Sequence, residues 1–202
     1  MIKFPITYVY NLLPAIKHIR IAYDSLEKSD SLDGKLGSND KELAEGLSKL
    51  GSSHRKFMRQ IFVATRIEAP KYWWKEFDTY KIGVTQNSSS TMHTITKRHL
   101  TKDDFSYKHG MDNSDVKILE VLNSFIDSYN KSDEEYEKKY YKQKIIEKLP
   151  DNYIYKRFVT LNYEVLTRIV KQRNNHELEE WHEFIDWIRD LPESDLIFKG
   201  AK

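Results

Sequence analysis

The sequence predicts an α/β fold of the α+β kind, a central sheet flanked by helices, as one domain over residues 1–202. Three observations predict it. Lys3 to Tyr10, Met58 to Ile67 and Lys156 to Asn162 are rich in β-branched and aromatic residues and read as strands. Each is followed by apolar residues at helical spacing. The resulting order, strand, helices, strand, helices, strand, helix, suits helices layered on a sheet, and 202 residues supply one sizeable core rather than two.

After the first strand, Leu12, Leu13, Ile16, Ile19 and Tyr23 recur at helical spacing. Ser29 to Asn39, with Gly34 and Gly37, reads as a loop, and Asn39 or Asp40 can cap a short helix carrying Leu43 and Leu47. In and just before the second strand Gln60 and Phe62 share one parity and Phe57, Ile61, Val63 and Ile67 the other, so both faces are partly covered. Pro70 then fits the first turn of a helix in which Trp73, Trp74 and Phe77 bury one face, until Gly83 stops it. Gln86 to Thr91 is a run of hydrogen-bonding residues that reads either as a solvated loop or as a cradle for a polar ligand.

Further on, residues 94–110 are polar and irregular. Asp115 to Tyr129 places Val116, Leu119, Leu122, Phe125, Ile126 and Tyr129 on one helical stripe, capped by Asn113 or Ser114. The charged run EEYEKKYYKQKIIEKL has acids placed before bases, which supports an exposed helix ending at Leu149-Pro150. The third strand leads into a helix over Tyr163 to Gln172, with Val165, Leu166, Ile169 and Val170 inward. Glu177 to Leu191 forms another helix with an apolar face of Trp181, Phe184, Ile185, Trp187 and Ile188, closed by Pro192.

Composition narrows the function classes. There are 33 basic and 31 acidic side chains, a formal charge of +2, and no global electrostatic reason to expect nucleic acid or an anionic membrane. No cysteine is present, which excludes disulfides, thiolate metal sites and a cysteine nucleophile and points to an intracellular, cytoplasmic setting. The N-terminal MIKFPITYVYNLLPAIKHIR is interrupted by Pro5 and Pro14 and is not expected to be a signal peptide, and no apolar run is long enough to span a bilayer. Gly46 and Gly51 have P-loop spacing, but Ser52 stands where that motif needs lysine. His93, His99 and His109 lack the acidic neighbours and spacing of a metal site, so no metal is expected. His54, Arg55, Lys56 and Arg59 form a basic cluster that either meets a phosphate or faces water.

Two segments, His54 to His93 and Leu149 to Trp181, carry a family resemblance. A histidine ahead of a strand ending in Ala-Pro and a helix is matched by His54, Ala69 and Pro70. Leu149-Pro150, Thr160 and Asn162 on a strand, and Arg173 eleven residues beyond that asparagine complete a second pattern, with His176 close behind. In these features the chain resembles the flavin-dependent thymidylate synthases, as a diverged member. Counting from Pro70 places their signature R-H-R-x-x-S-x-N-x-x-S-x-R-Y so that Thr79-Tyr80-Lys81 replace Arg-His-Arg, Val84 the first serine and Gln86 the asparagine. Ser89 keeps the second serine, Thr91-Met92 replace Arg-Tyr, and Ile146 stands where the family has an arginine before Leu-Pro.

The resemblance implies a homotetramer with active sites shared between subunits. It also implies FAD as cofactor, NADPH and methylenetetrahydrofolate as co-substrates, and methylation at C5 of dUMP or a related alkylation of a uracil nucleotide. It places His54, Lys81, Asn162 and Arg168 at the flavin and Glu76, Asn87, Ser89 and Arg173 at the nucleotide, Arg173 at its base and Ser89 at its phosphate. The cofactor carries the chemistry, so no side chain is assigned as catalytic. Read without it, Arg173 is a favourable cation near a helix C-terminus, Asn162 a turn residue, and Trp73, Trp74 and Trp181 core or subunit-interface aromatics. The replaced arginines weaken bidentate contacts to a dianion, and Glu76 stands where the family usually has glutamine. The alternative is a non-catalytic nucleotide-binding or oligomeric interaction protein on the same fold.

Overall fold

A computed structural model describes all 202 residues. It contains a four-stranded antiparallel sheet in the order β1-β2-β4-β3, with helices making up about half the chain. The strands are β1 (Lys3–Tyr10), β2 (Phe62–Pro70), β3 (Thr85–Ser88) and β4 (Ile154–Asn162). The helices are α1 (Leu12–Lys17), α2 (Ser38–Lys49), α3 (Lys71–Phe77), α4 (Thr91–Thr94), α5 (Asn113–Lys131), α6 (Glu135–Lys148), α7 (Tyr163–Arg173), α8 (Glu179–Arg189) and α9 (Asp195–Ala201). Two compact units are distinguished, one of residues 1, 68–78 and 87–157, the other of residues 2–67, 79–86 and 158–202.

In the first unit, α5 and α6 form a hairpin. Ile95, Leu100, Phe105, Leu122, Ile126, Ile145 and Leu149 make its core, with Leu119 and Phe125 packed against them. Asp112, rather than Asn113 or Ser114, caps α5: its carboxylate accepts from the backbone N–H groups of Ser114 and Asp115 while Asp115 returns a bond to the N–H of Asp112. Val116, expected on the buried stripe, is exposed. In α3, Trp73, Trp74 and Phe77 are buried as expected. Its first backbone N–H groups have no side-chain cap and donate instead to the carbonyls of Tyr153 and Asp151. Trp74 Nε1 donates to the carbonyls of Ala69 (3.1 Å) and Tyr155 (3.3 Å), and the Arg157 guanidinium lies 4.2 Å from its ring.

In the second unit α7 buries one face: Val165, Leu166, Ile169 and Val170 are inward as the periodicity predicts, with Tyr163 and Thr167. Trp181, Phe184, Ile185 and Ile188 of α8 are buried too, whereas Trp187 is half-buried, stacked on Phe4 and donating to Thr7. The α2 helix starts at Ser38. The Asp30 carboxylate, across the preceding loop, accepts from the N–H groups of Asn39 and Asp40 and does the work of a cap.

Several expected boundaries move. The strand predicted to start at Met58 starts at Phe62, because Lys56–Gln60 closes into a 3₁₀ turn that buries Phe57 and Met58. Pro70 ends β2 in extended conformation instead of entering the helix. The helix stops at Phe77 rather than at Gly83, and the polar residues from Thr85 form β3. Their backbone groups pair regardless of side-chain polarity, and the Ser89 N–H donates to the Lys156 carbonyl at 2.9 Å. Tyr23, placed on a helical stripe by spacing, is exposed at the end of a 3₁₀ turn. The C-terminal α9, which buries Leu196, Ile197 and Gly200, was not expected from periodicity.

Candidate functional site

The N-terminus of α7 helps to line a cleft in the second unit. Ser52, Arg59, Ile82, Gly83, Asn162, Glu164, Val165 and Arg168 line a volume of about 480 Å³. That is within the usual size range of small-molecule sites, roughly 300–1,000 Å³. Asn162 ends β4 and caps α7, its Oδ1 accepting from the Val165 N–H at 3.0 Å. The Asn162 side chain and the Ile61 carbonyl satisfy the Val165 and Tyr163 N–H groups of the first turn of α7, and the helix dipole at this end favours negative charge in the cleft.

The charged groups sort into two sets. Glu164 is neutralised by Arg55, whose Nε and a terminal nitrogen donate to its two carboxylate oxygens at 2.7 and 3.3 Å. Another Arg55 nitrogen donates to the Gly200 carbonyl at 2.6 Å. With Glu164 so paired, Arg59 and Arg168 leave the cleft cationic. Arg168 donates to the Ile82 carbonyl at 3.3 Å, while its buried Nε has no hydrogen-bond partner. A buried guanidinium N–H without a partner is costly unless a ligand supplies the acceptor.

Gly83 forms the opposite wall. Its φ of +80° is a left-handed conformation, and a Cβ there would come within 3.0 Å of Val165 Cγ2 and 3.3 Å of Asn162 Nδ2. The turn thus lies against the mouth of α7 in a way only glycine permits without strain.

Of the residues singled out in the sequence, Asn162 and Arg168 are brought together in this cleft. His54 is exposed in the turn after Ser52, and Lys81 is exposed beside Ile82; neither is among the lining residues. Arg173, at the last turn of α7, donates from Nε to the Tyr80 hydroxyl at 3.1 Å, and its guanidinium lies 4.8 Å from the Trp181 ring. His176 accepts the Leu178 N–H on Nδ1 at 3.1 Å, and its carbonyl bonds the His182 ring. Glu76, Asn87 and Ser89 belong to the first unit; Glu76 is half-buried on α3, and Asn87 and Ser89 are exposed at and just after β3. No group of three or more histidine or acidic side chains is placed to hold a metal ion. Sequence reasoning missed Ile82, Gly83 and Glu164 as lining residues. The one available signal was the glycine itself, read as a helix stop.

Two solved structures match the chain from end to end. A crystal structure of thymidylate synthase X from Helicobacter pylori with FAD and dUMP aligns with a TM-score of 0.73 at 15% identity, covering 100% of this chain and 98% of its own. A second, of the flavin-dependent thymidylate synthase from Helicobacter pylori complexed with FAD and dUMP, aligns at 0.72 and 17% identity, covering 100% and 99%. The fold is that of the flavin-dependent thymidylate synthases. No family model matches the sequence, and no curated protein matches it. The likeness of fold extends over the full length of the chain at 15–17% identity.

The FAD expected for this fold can be tested against the cleft chemistry. A buried Arg168 Nε lacking an acceptor, a cationic Arg59, the dipole at the start of α7 and a glycine wall that a Cβ would fill together suit a phosphate-bearing cofactor.

Proposed function

We propose that this protein is a diverged flavin-dependent thymidylate synthase that binds FAD and methylates, or otherwise alkylates, C5 of dUMP or a related uracil nucleotide. The one-carbon donor is methylenetetrahydrofolate and the reductant NADPH. One observation carries the reading: on this fold, the cationic cleft at the N-terminus of α7 has a buried guanidinium nitrogen in need of an acceptor. Bound FAD would supply the hydride chemistry, so the absence of cysteine is no obstacle.

The chain's own part is binding and orientation. Asn162 caps α7 at the edge of the cleft, Arg168 and Arg59 meet the cofactor's negative charge, and His54 and Lys81, outside the cleft lining, are assigned to the flavin by the family resemblance. Glu76, Asn87, Ser89 and Arg173 take the nucleotide. In this reading residues 1–202 act as a single domain within a cytoplasmic homotetramer whose subunits share sites.

A second reading, a non-catalytic nucleotide-binding or interaction protein, is favoured by one specific feature. Thr79, Thr91 and Ile146 replace arginines of the family pattern, and each lost charged contact to a dianion costs roughly 1.5–3 kcal/mol. The visible spectrum of the purified protein, resolved on a sizing column with FAD and dUMP, distinguishes the two. A yellow, tetramer-sized peak that makes dTMP when supplied with methylenetetrahydrofolate and NADPH is the expected result. A colourless protein that takes up no added FAD would overturn the flavoenzyme reading.

A further inference from the structure

Where the family signature has histidine, this chain has Tyr80, and that tyrosine touches both arginines offered to ligands. It is 5% exposed. Its hydroxyl accepts from Arg173 Nε at 3.1 Å. The guanidinium carbons of Arg168 and Arg173 each lie 5.8 Å from its ring centroid, within reach of a cation–π attraction. Trp181, fully buried, closes the arrangement, with its ring edge-on to Tyr80 at 6.1 Å and 4.8 Å from the Arg173 guanidinium.

Helix geometry alone would not bring these two cations to one place. Residues five apart on an α-helix point roughly 140° from each other. Two like charges approaching one buried ring also repel. The electron-rich face of Tyr80 offsets that repulsion, and its hydroxyl fixes the plane of Arg173 through Nε.

We propose that Tyr80 is a positioning residue that holds Arg173 for the nucleotide and, through its ring, Arg168 for the cofactor. The assignment rests on the nucleotide reading given above. Tyr80→Phe keeps the ring and loses the hydroxyl. It lowers dUMP affinity roughly five- to tenfold, the cost of one charge-assisted hydrogen bond expressed through orientation. FAD affinity stays within about twofold, because the ring that faces Arg168 remains. Tyr80→Leu removes the ring as well and weakens both ligands.

The test is calorimetric titration of the FAD-loaded protein with dUMP, alongside flavin fluorescence for FAD affinity and a thermal midpoint for folding. Arg173→Lys keeps the charge but cannot make the same Nε bond, so Tyr80→Phe added to it produces no further loss of dUMP affinity. Selective loss of dUMP affinity in Tyr80→Phe, absent in the Arg173→Lys background, supports the assignment. It is overturned if Tyr80→Phe binds dUMP within twofold of the unmodified protein, or if dUMP and FAD affinity fall together with the thermal midpoint. Unmodified, FAD-loaded protein that binds no dUMP would overturn the nucleotide reading itself, and this assignment with it.

Discussion

Gly83 has no side chain to contribute, yet it shapes one wall of the cleft. Its backbone sits at φ +80°, and the nearest atoms to an added Cβ belong to Val165 and Asn162, at 3.0 and 3.3 Å. Replacing it by alanine forces a left-handed residue with a side chain, at about 1–2 kcal/mol, and pushes on the α7 cap. Gly83→Ala should therefore lower the unfolding free energy measured by denaturant titration by that amount and, on the proposed reading, weaken FAD binding. Unchanged stability would show that the turn relaxes freely. Asn162 was legible as a turn residue because asparagine favours helix entry. The role of Gly83 was not, because a glycine's φ is decided by what packs beside it.

Arg55 ties three helices of the second unit together, reaching Glu164 on α7, the Gly200 carbonyl on α9 and, at 3.4 Å, the Ser48 carbonyl on α2. The pair is mostly buried, with side chains 13% and 17% exposed. Removing the guanidinium strands Glu164 and the carbonyl. Arg55→Ala is expected to cost about 2–3 kcal/mol, below the figure for a fully buried pair because some water reaches this one. Urea unfolding measures it, and a loss under 0.5 kcal/mol would show that Arg55 is no clamp. In the sequence Arg55 belonged to a basic cluster facing either phosphate or water. The structure separates the cluster: Arg55 turns inward to a partner 109 residues away, and Arg59 lines the cleft. Strand β3 escaped notice for a related reason, since polar residues pair through backbone when a neighbouring strand offers its edge.

Acid stability draws on carboxylates in both units. Burial pushes the Asp40 carboxyl up, but the Ser29 and Ser31 hydroxyls and the Arg20 guanidinium outweigh it and hold the group below its ordinary value. Asp104 follows the same balance, burial opposed by Arg98 and the Thr101 N–H, and Asp151 is lowered by hydrogen bonds from Lys75 and Lys71. With folded values depressed, the unfolded chain binds more protons as the medium acidifies. The stabilisation is present above the unfolded carboxylate pKa of about 4 and is lost as pH falls through the lower folded values. The thermal midpoint should hold from pH 7 to about 5 and fall steeply below 4. Asp40→Asn should flatten that dependence. An unchanged slope would place the acid sensitivity elsewhere.

Composition marked the strand β1, and periodicity marked the buried faces of α7 and α8 and the aromatic trio of α3, because burial of an apolar stripe is a local pattern with a local period. The candidate residues Asn162 and Arg173 were named through the resemblance to a family pattern, which periodicity does not supply. Tertiary structure decided which charges are spent internally, which glycine forms a wall, and that Tyr80 lies against both Arg168 and Arg173. Those outcomes depend on pairings across the chain, whose free energies are set by burial and distance rather than by neighbours in sequence.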